Sequence, residues 1–291
     1  MAHRTFYILD VFAEKKYAGN QLAVVRDSEG LSAGEMQKIA REFNYSETAF
    51  ILSDEERVGG YDVRIFTPKK EVPFAGHPVL GTAFVIQYEI KRIPVEEVIL
   101  NLKVGQIHVK FERGGTSWMS QIPPLFGTIF KPGLIAQVLN IEAHEIDDGF
   151  PVQEVSTGLP FVIVPLKTLE TLKRSKINED AYFDMRKRTD DKAFLLFCPQ
   201  MHNRENDLCV RVLADCYGVE EDPATGSANG CLAGYLVKYR YFGKDRIDIR
   251  VEQGYEIGRP SLLLLRSEEK EDHIDVNVGG SVVMIAKGEL I

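Results

Sequence analysis

One phrase occurs twice in this chain of 291 residues, once in each half. Glu71-Val72-Pro73-Phe74-Ala75-Gly76-His77 and Glu221-Asp222-Pro223-Ala224-Thr225-Gly226-Ser227 share the pattern E-x-P-x-x-G-[H/S]. Each copy follows a β-like run, residues 63–66 and 210–213, and each opens a stretch without a charged side chain, residues 78–88 and 228–237. A supersecondary unit used twice predicts two similar domains, and a chain of this length exceeds the usual size of a single core. The turn inside the unit runs from a strand into a helix N-terminus. Unpaired N–H groups and the positive end of the helix dipole favour an anionic ligand group there.

A helix that is apolar on every side must be covered on every side, and about ten residues are too few to span a bilayer. The cover is at hand. Strand-like runs rich in β-branched and aromatic residues occupy 5–12, 22–25, 48–52, 61–66, 98–102, 107–111 and 117–121, then 152–157, 161–165, 193–197, 207–212, 247–251, 261–265 and 274–278. Ser32 and Glu35 form a capping box for one amphipathic helix, with Met36, Ile39, Ala40 and Phe43 on its apolar face and Asn44 as its stop. The charged segment 167–192 reads as helical and solvated. The predicted fold is therefore α+β: two similar domains, each a β-barrel-like sheet wrapped around a central buried helix. Gly114-Gly115 and Pro123-Pro124 bracket the crossover, which places the domains at 1–117 and 118–280. A closing strand in 281–291 can pair with either half or return to the first. His77, before Pro78, and Ser227 are expected at the N-cap positions of the two buried helices.

A formal charge of −8 opposes binding to a phosphate backbone, so no nucleic-acid partner is expected. No apolar run approaches the length of a membrane helix and the first residues hold no signal core, which leads to an expectation of a cytoplasmic protein without membrane contact. Cys198, Cys209, Cys216 and Cys231 contain no C-x-x-C pair and read as small buried hydrophobes. His77, His108, His144 and His202 lack metal-ligand spacing, and no nucleotide-binding motif is present, so neither metal nor cofactor is expected.

Three acids stand out. Glu47 falls at a helix-to-strand junction among apolar and hydroxyl residues, where it is either a surface turn acid or, if partly buried, a proton-transfer group. Asp222 either complements a helix dipole or faces a ligand. Glu71 and Glu221 are equivalent in the repeat and read as structural, with backbone N–H groups of the turn as expected partners. His77 is a helix cap or a catalyst, and it shares its repeat position with Ser227. Gly76 and Gly226 permit close backbone approach or a positive φ, and with Ser227 they form a candidate cradle for a carboxylate or phosphate.

In combination these residues closely resemble the phenazine-biosynthesis PhzF-like family. The resemblance rests on Asp10-Val11-Phe12 with Gly19-Asn20, residues 44–50, Phe66-Thr67-Pro68 with Phe74-Ala75-Gly76-His77-Pro78, Ser156-Thr157-Gly158, residues 221–228, and Gln253-Gly254 with Gly258-Arg259-Pro260-Ser261. Gln21 departs from it, standing where the pattern has proline. The resemblance implies the diaminopimelate-epimerase-like fold and a cofactor-independent isomerase of a small carboxylated metabolite. It also implies Glu47 as principal acid/base, with His77, Asp222 and Ser227 around the substrate, the backbones of Gly76 and Gly226 at the helix starts, and a homodimer. Two-thiol racemases of the wider superfamily carry a cysteine before each of those glycines. Ala75 and Thr225 occupy the positions here, which disfavours an amino-acid racemase or epimerase; a non-catalytic small-acid binding protein is the other alternative.

Overall fold

A sequence with many short strand-like runs and two uncharged helical stretches, residues 78–88 and 228–237, has to wrap strands around helices, and it does so twice. The computed structural model describes residues 4–187, 189–214 and 219–291. The chain divides into two compact units, Met1–Ser120 with Gly279–Ile291, and Gln121–Val278.

The first unit contains β1 (Arg4–Val11), β2 (Asn20–Val25), α1 (Ala33–Phe43), β3 (Glu47–Ile51), β4 (Tyr61–Phe66), β5 (Glu71–Val72), α2 (Gly76–Val85), β6 (Glu97–Leu102), β7 (Gly105–Phe111) and β8 (Thr116–Gln121). A π-helical turn, Ile86–Lys91, extends α2. The final strand of the chain, β17 (Ile274–Leu290), lies antiparallel to β1 from Arg4↔Leu290 to Val11↔Val282. From β1 the sheet continues antiparallel to β2, parallel to β3, antiparallel to β4, parallel to β6, and antiparallel to β7 and then β8. Since β8 also pairs with β17, eight strands close on themselves as a barrel. Inside it every residue of α2 except Phe84 is buried. Gly81 lets the helix approach β2, because a Cβ there would collide with Leu22.

The second unit runs β9 (Leu125–Ile129), α3 (Pro132–Val138), β10 (Gln153–Ser156), β11 (Pro160–Pro165), α4 (Leu169–Arg174), α5 (Glu179–Arg186), β12 (Ala193–Cys198), β13 (Leu208–Ala214), β14 (Val219–Asp222), α6 (Gly226–Lys238), β15 (Arg246–Gln253) and β16 (Ser261–Glu269). Its pairing repeats that of the first unit sense for sense: β10 antiparallel to β11, β11 parallel to β12, β12 antiparallel to β13, β13 parallel to β15, β15 antiparallel to β16. The short strands β5 and β14 hang antiparallel on β4 and β13. The repeated phrase therefore occupies one topological position twice, between the short strand and the buried helix. The fold is of the α+β class expected.

Two local expectations need correction. The buried helices begin at Gly76 and Gly226 with Ala75 and Thr225 as N-caps, so His77 and Ser227 are the second helical residues and not caps. Pro78 fits at the third position because a first-turn N–H has no intrahelical partner to lose. The two runs at 274–278 and 281–286, separated in sequence by Gly279-Gly280, form one strand. Gly279 makes room for an aromatic ring and does not break the strand, since a Cβ on it would lie 2.5 Å from the Trp118 ring.

Candidate active site

In the first unit, Asn44 closes α1 in the left-handed conformation, φ 53°, and turns the chain so that Glu47 opens β3. His77, in the first turn of α2, brings Nε2 to 3.5 Å from Glu47 Oε2, with the two side chains 7% and 19% exposed respectively. Burial lowers the His77 pKa to about 3, outweighing the opposing hydrogen bond with the Gln21 backbone. His77 is therefore a neutral imidazole at physiological pH, and its contact with Glu47 is not an ion pair. The approach to Gln21 is itself fixed: Gly19 has φ 67° and a Cβ there would collide with the Val11 carbonyl, while Asp10 accepts the Tyr17 N–H at 2.7 Å.

In the second unit, Asp222 ends β14 and accepts a 2.5 Å hydrogen bond from the hydroxyl of Thr225. The fully buried Gln253 holds this turn with both ends of its amide. Its Oε1 accepts from Thr225 N at 3.2 Å and Asn229 Nδ2 at 2.8 Å, and its Nε2 donates to the Asp222 carbonyl at 2.8 Å and Thr225 Oγ1 at 3.1 Å. Gly254, φ 78°, completes the clamp, because a Cβ would stand 2.6 Å from the Pro223 carbonyl. Gln121 donates to the Gly226 carbonyl at 3.0 Å and accepts from Thr157 at 2.6 Å.

α2 and α6 differ from α1, α4 and α5 at their starts. Ser32, Thr168 and Asn178 cap the latter three with side-chain oxygens, whereas no side chain caps α2 or α6 and neither has an acid in its first turn. Gly76 and Gly226 are helical and outside the positive-φ residues, so close backbone approach is the property of glycine that these positions use. Their N–H groups and helix dipoles remain available to an anion.

The repeat glutamates are structural through a partner other than the turn's N–H groups. Arg64 grips Glu71 in a two-pronged pair at 2.8 Å, and Arg211 grips Glu221 at 3.0 and 2.7 Å. Hydrogen bonding from Arg64 first, and from Lys103, holds the Glu71 carboxyl down at about 2. Position for position, the copies differ where Val72, opposite Ile65, is matched by Asp222, opposite Val212, and where His77 is matched by Ser227.

A family model for phenazine biosynthesis-like proteins matches residues 9–288. The chain belongs to that family. Trans-2,3-dihydro-3-hydroxyanthranilate isomerase of Pseudomonas chlororaphis is 33% identical to it over 98% of this chain and 99% of its own length. A phenazine biosynthesis protein of the PhzF family from Bacillus anthracis superposes with a TM-score of 0.90 at 25% identity, covering all of both chains. A hydroxyproline epimerase from Agrobacterium vitis, at 8% identity and a TM-score of 0.61 over all of this chain and 91% of its own, shares the fold alone. The chain thus has a diaminopimelate-epimerase-like fold, and it is an isomerase.

The three described cysteines are buried and unbridged. Burial pushes the Cys198 and Cys231 thiols up to about 11, and raises Cys209 as well. Cys216 lies outside the described residues. No helix among the described residues is long and apolar enough to cross a membrane. Gln253, Gln121 and Thr157 were not singled out from sequence, although Thr157 and Gln253 fall in segments that carry the family resemblance. Each reaches its partners across 24 or more positions, and no local spacing encodes that.

Proposed function

We propose that this protein is a cofactor-independent isomerase that moves a proton between carbons of a small carboxylated substrate, with Glu47 as the shuttling group. The observation that carries the reading is the partly buried Glu47 carboxylate beside an uncharged His77. As carboxylate, Glu47 takes a proton from an acidic carbon. The resulting anion delocalises toward the substrate's own carbonyl or carboxyl group, and Glu47, now protonated, returns the proton at another carbon. A neutral His77 can accept or donate a hydrogen bond during this traffic without adding a charge that would lock Glu47 as an ion pair. In the other copy of the turn, Asp222, oriented by Thr225, is suited to an amine or hydroxyl, and each uncapped helix start, Gly76 in the first unit and Gly226-Ser227 in the second, is suited to a carboxylate.

Trans-2,3-dihydro-3-hydroxyanthranilate, named in the Pseudomonas relative, is the first substrate to assay. In D2O the product should gain deuterium at the carbon that receives the proton, and Glu47→Gln should lower kcat at least about 100-fold, the usual scale of a lost general acid/base. Unchanged turnover in Glu47→Gln would sink the mechanism. With Ala75 and Thr225 in place of paired thiols, inversion of an amino acid is not expected; α-hydrogen exchange on free amino acids would revive it.

A further inference from the structure

A second cluster of chemically competent side chains lies in the second unit, on β13, β15 and the loop before β13. Cys209 and Glu252 are direct partners in the parallel β13–β15 pairing. His202 places Nδ1 at 3.2 Å from Glu252 Oε2 and 3.7 Å from Cys209 Sγ, and the three ligand atoms all lie within 4.8 Å of one another. We propose that His202, Cys209 and Glu252 form a site for a divalent transition metal of the zinc type, structural and separate from the chemistry of Glu47.

Two of the three edges match a coordination polyhedron, N–O at 3.2 Å and N–S at 3.7 Å, and the third, S–O, lies within 4.8 Å and would have to shorten around an ion. With bonds of about 2.0–2.1 Å to nitrogen and oxygen and about 2.3 Å to sulfur, a tetrahedral ion has ligand edges of roughly 3.4 Å for N–O and 3.6 Å for N–S. The supporting shell is also present. His202 Nε2 faces Glu256 Oε1 at 3.5 Å, a carboxylate on the far side of the imidazole of the kind that orients metal-bound histidines, and the ring stacks on Tyr255 at 4.2 Å and 8°. Glu252 is held rigidly by the N–H groups of His202 and Asn203 at 2.8 and 2.7 Å and by Asn206 Nδ2 at 2.8 Å.

Charge supplies an independent argument. Glu252 is wholly buried and the Glu256 side chain is 13% exposed, with its Oε2 lacking a hydrogen-bond partner. Among the described residues no lysine or arginine pairs with either carboxylate. Buried charges are paired or coordinate metals, and the basic side chain that faces both carboxylates is His202. Loop anchoring alone explains the bonds to Glu252 but gives a thiol at the third corner nothing to do; a metal uses all three.

The location gives the ion a purpose. Successive residues of a strand face opposite sides, so an ion on Glu252 would brace β15 from behind the face on which Gln253 clamps the Asp222–Thr225 turn. Sequence spacing concealed the set, because residues 202, 209 and 252 converge only through the β13–β15 pairing.

The test is titration of the chelator-stripped full-length protein with Co2+. Thiolate-to-cobalt charge-transfer absorption in the near ultraviolet should saturate at one ion per chain, disappear on addition of Zn2+, and be lost in Cys209→Ser. Zn2+ should raise the Tm of the wild type and of Glu47→Gln alike, but not of His202→Asn. Absence of the charge-transfer band in the wild type, or its persistence in Cys209→Ser, overturns the proposal. Because the wild-type titration decides by itself, a poorly folding variant does not shelter it.

Discussion

A carboxylate and an imidazole within 3.5 Å of each other are commonly written as an ion pair, yet burial gives His77 a pKa near 3 and leaves it uncharged. The distinction has a thermodynamic consequence. A histidine whose pKa is about 6.5 when unfolded and about 3 when folded takes up its proton more readily in the unfolded chain. Its contribution to stability is present above pH 6.5 and is lost as pH falls toward 3. Glu71, depressed from 4.5 to about 2 by Arg64, acts lower, with stability present above 4.5 and lost toward 2. Urea unfolding midpoints measured between pH 7 and 4 should therefore fall, with a limiting slope on the order of 1.4 kcal/mol per pH unit from His77. His77→Asn should flatten the curve over that window, and an equally steep variant would show that His77 is not the group responsible. At this scale the sequence singled out Glu47, His77 and Asp222 as candidates but not the charge state of His77. The charge on His77 depends on how completely α2 is enclosed, which no neighbour in sequence reports.

The strand-turn-helix element was the most legible part of the chain, because its phrase is printed twice and its helix lacks charge. What it did not disclose was how the turn is held. The expected partners of Glu71 and Glu221 were backbone N–H groups; the real partners are Arg64 and Arg211 on the preceding strand, one residue into each β-like run. The two copies differ in how much depends on the pair. Arg211 also donates to the carbonyls of Leu172, Lys173 and Ser175 and is almost wholly buried with Glu221, whereas Glu71 keeps a second cation in Lys103 at 2.7 Å. Removing one partner of a buried pair leaves an uncompensated charge and costs about 3–5 kcal/mol. A partly exposed pair with a remaining cation loses about 1 kcal/mol or less. Arg211→Met should thus lower the chemical stability of the second unit severely, while Arg64→Met should be mild. Equal losses in denaturant titrations would contradict this reading of the two buttresses.

The whole molecule is two similar units on one chain, and the sequence left open where its last strand belonged. Gly279-Gly280 looked like punctuation because glycine weakens a strand in isolation. In the fold Gly279 accommodates the Trp118 ring and Gly288 the Phe6 ring, where a Cβ would come within 2.6 Å. β17 closes the first barrel between β1 and β8, and barrel closure is what removes open sheet edges. Each unit has buried apolar clusters of its own, around Phe50 and Phe66 in the first and around Leu196 and Tyr182 in the second. A chain truncated after Gly280 should consequently lose the first unit selectively. Trp118, the sole tryptophan and 6% exposed, reports on this directly. Its emission should shift to the red and amides of β1 and β8 should exchange rapidly, while those of β12 and β13 stay protected. A truncated protein that kept Trp118 buried and β1 protected would show that the barrel stands without its closing strand.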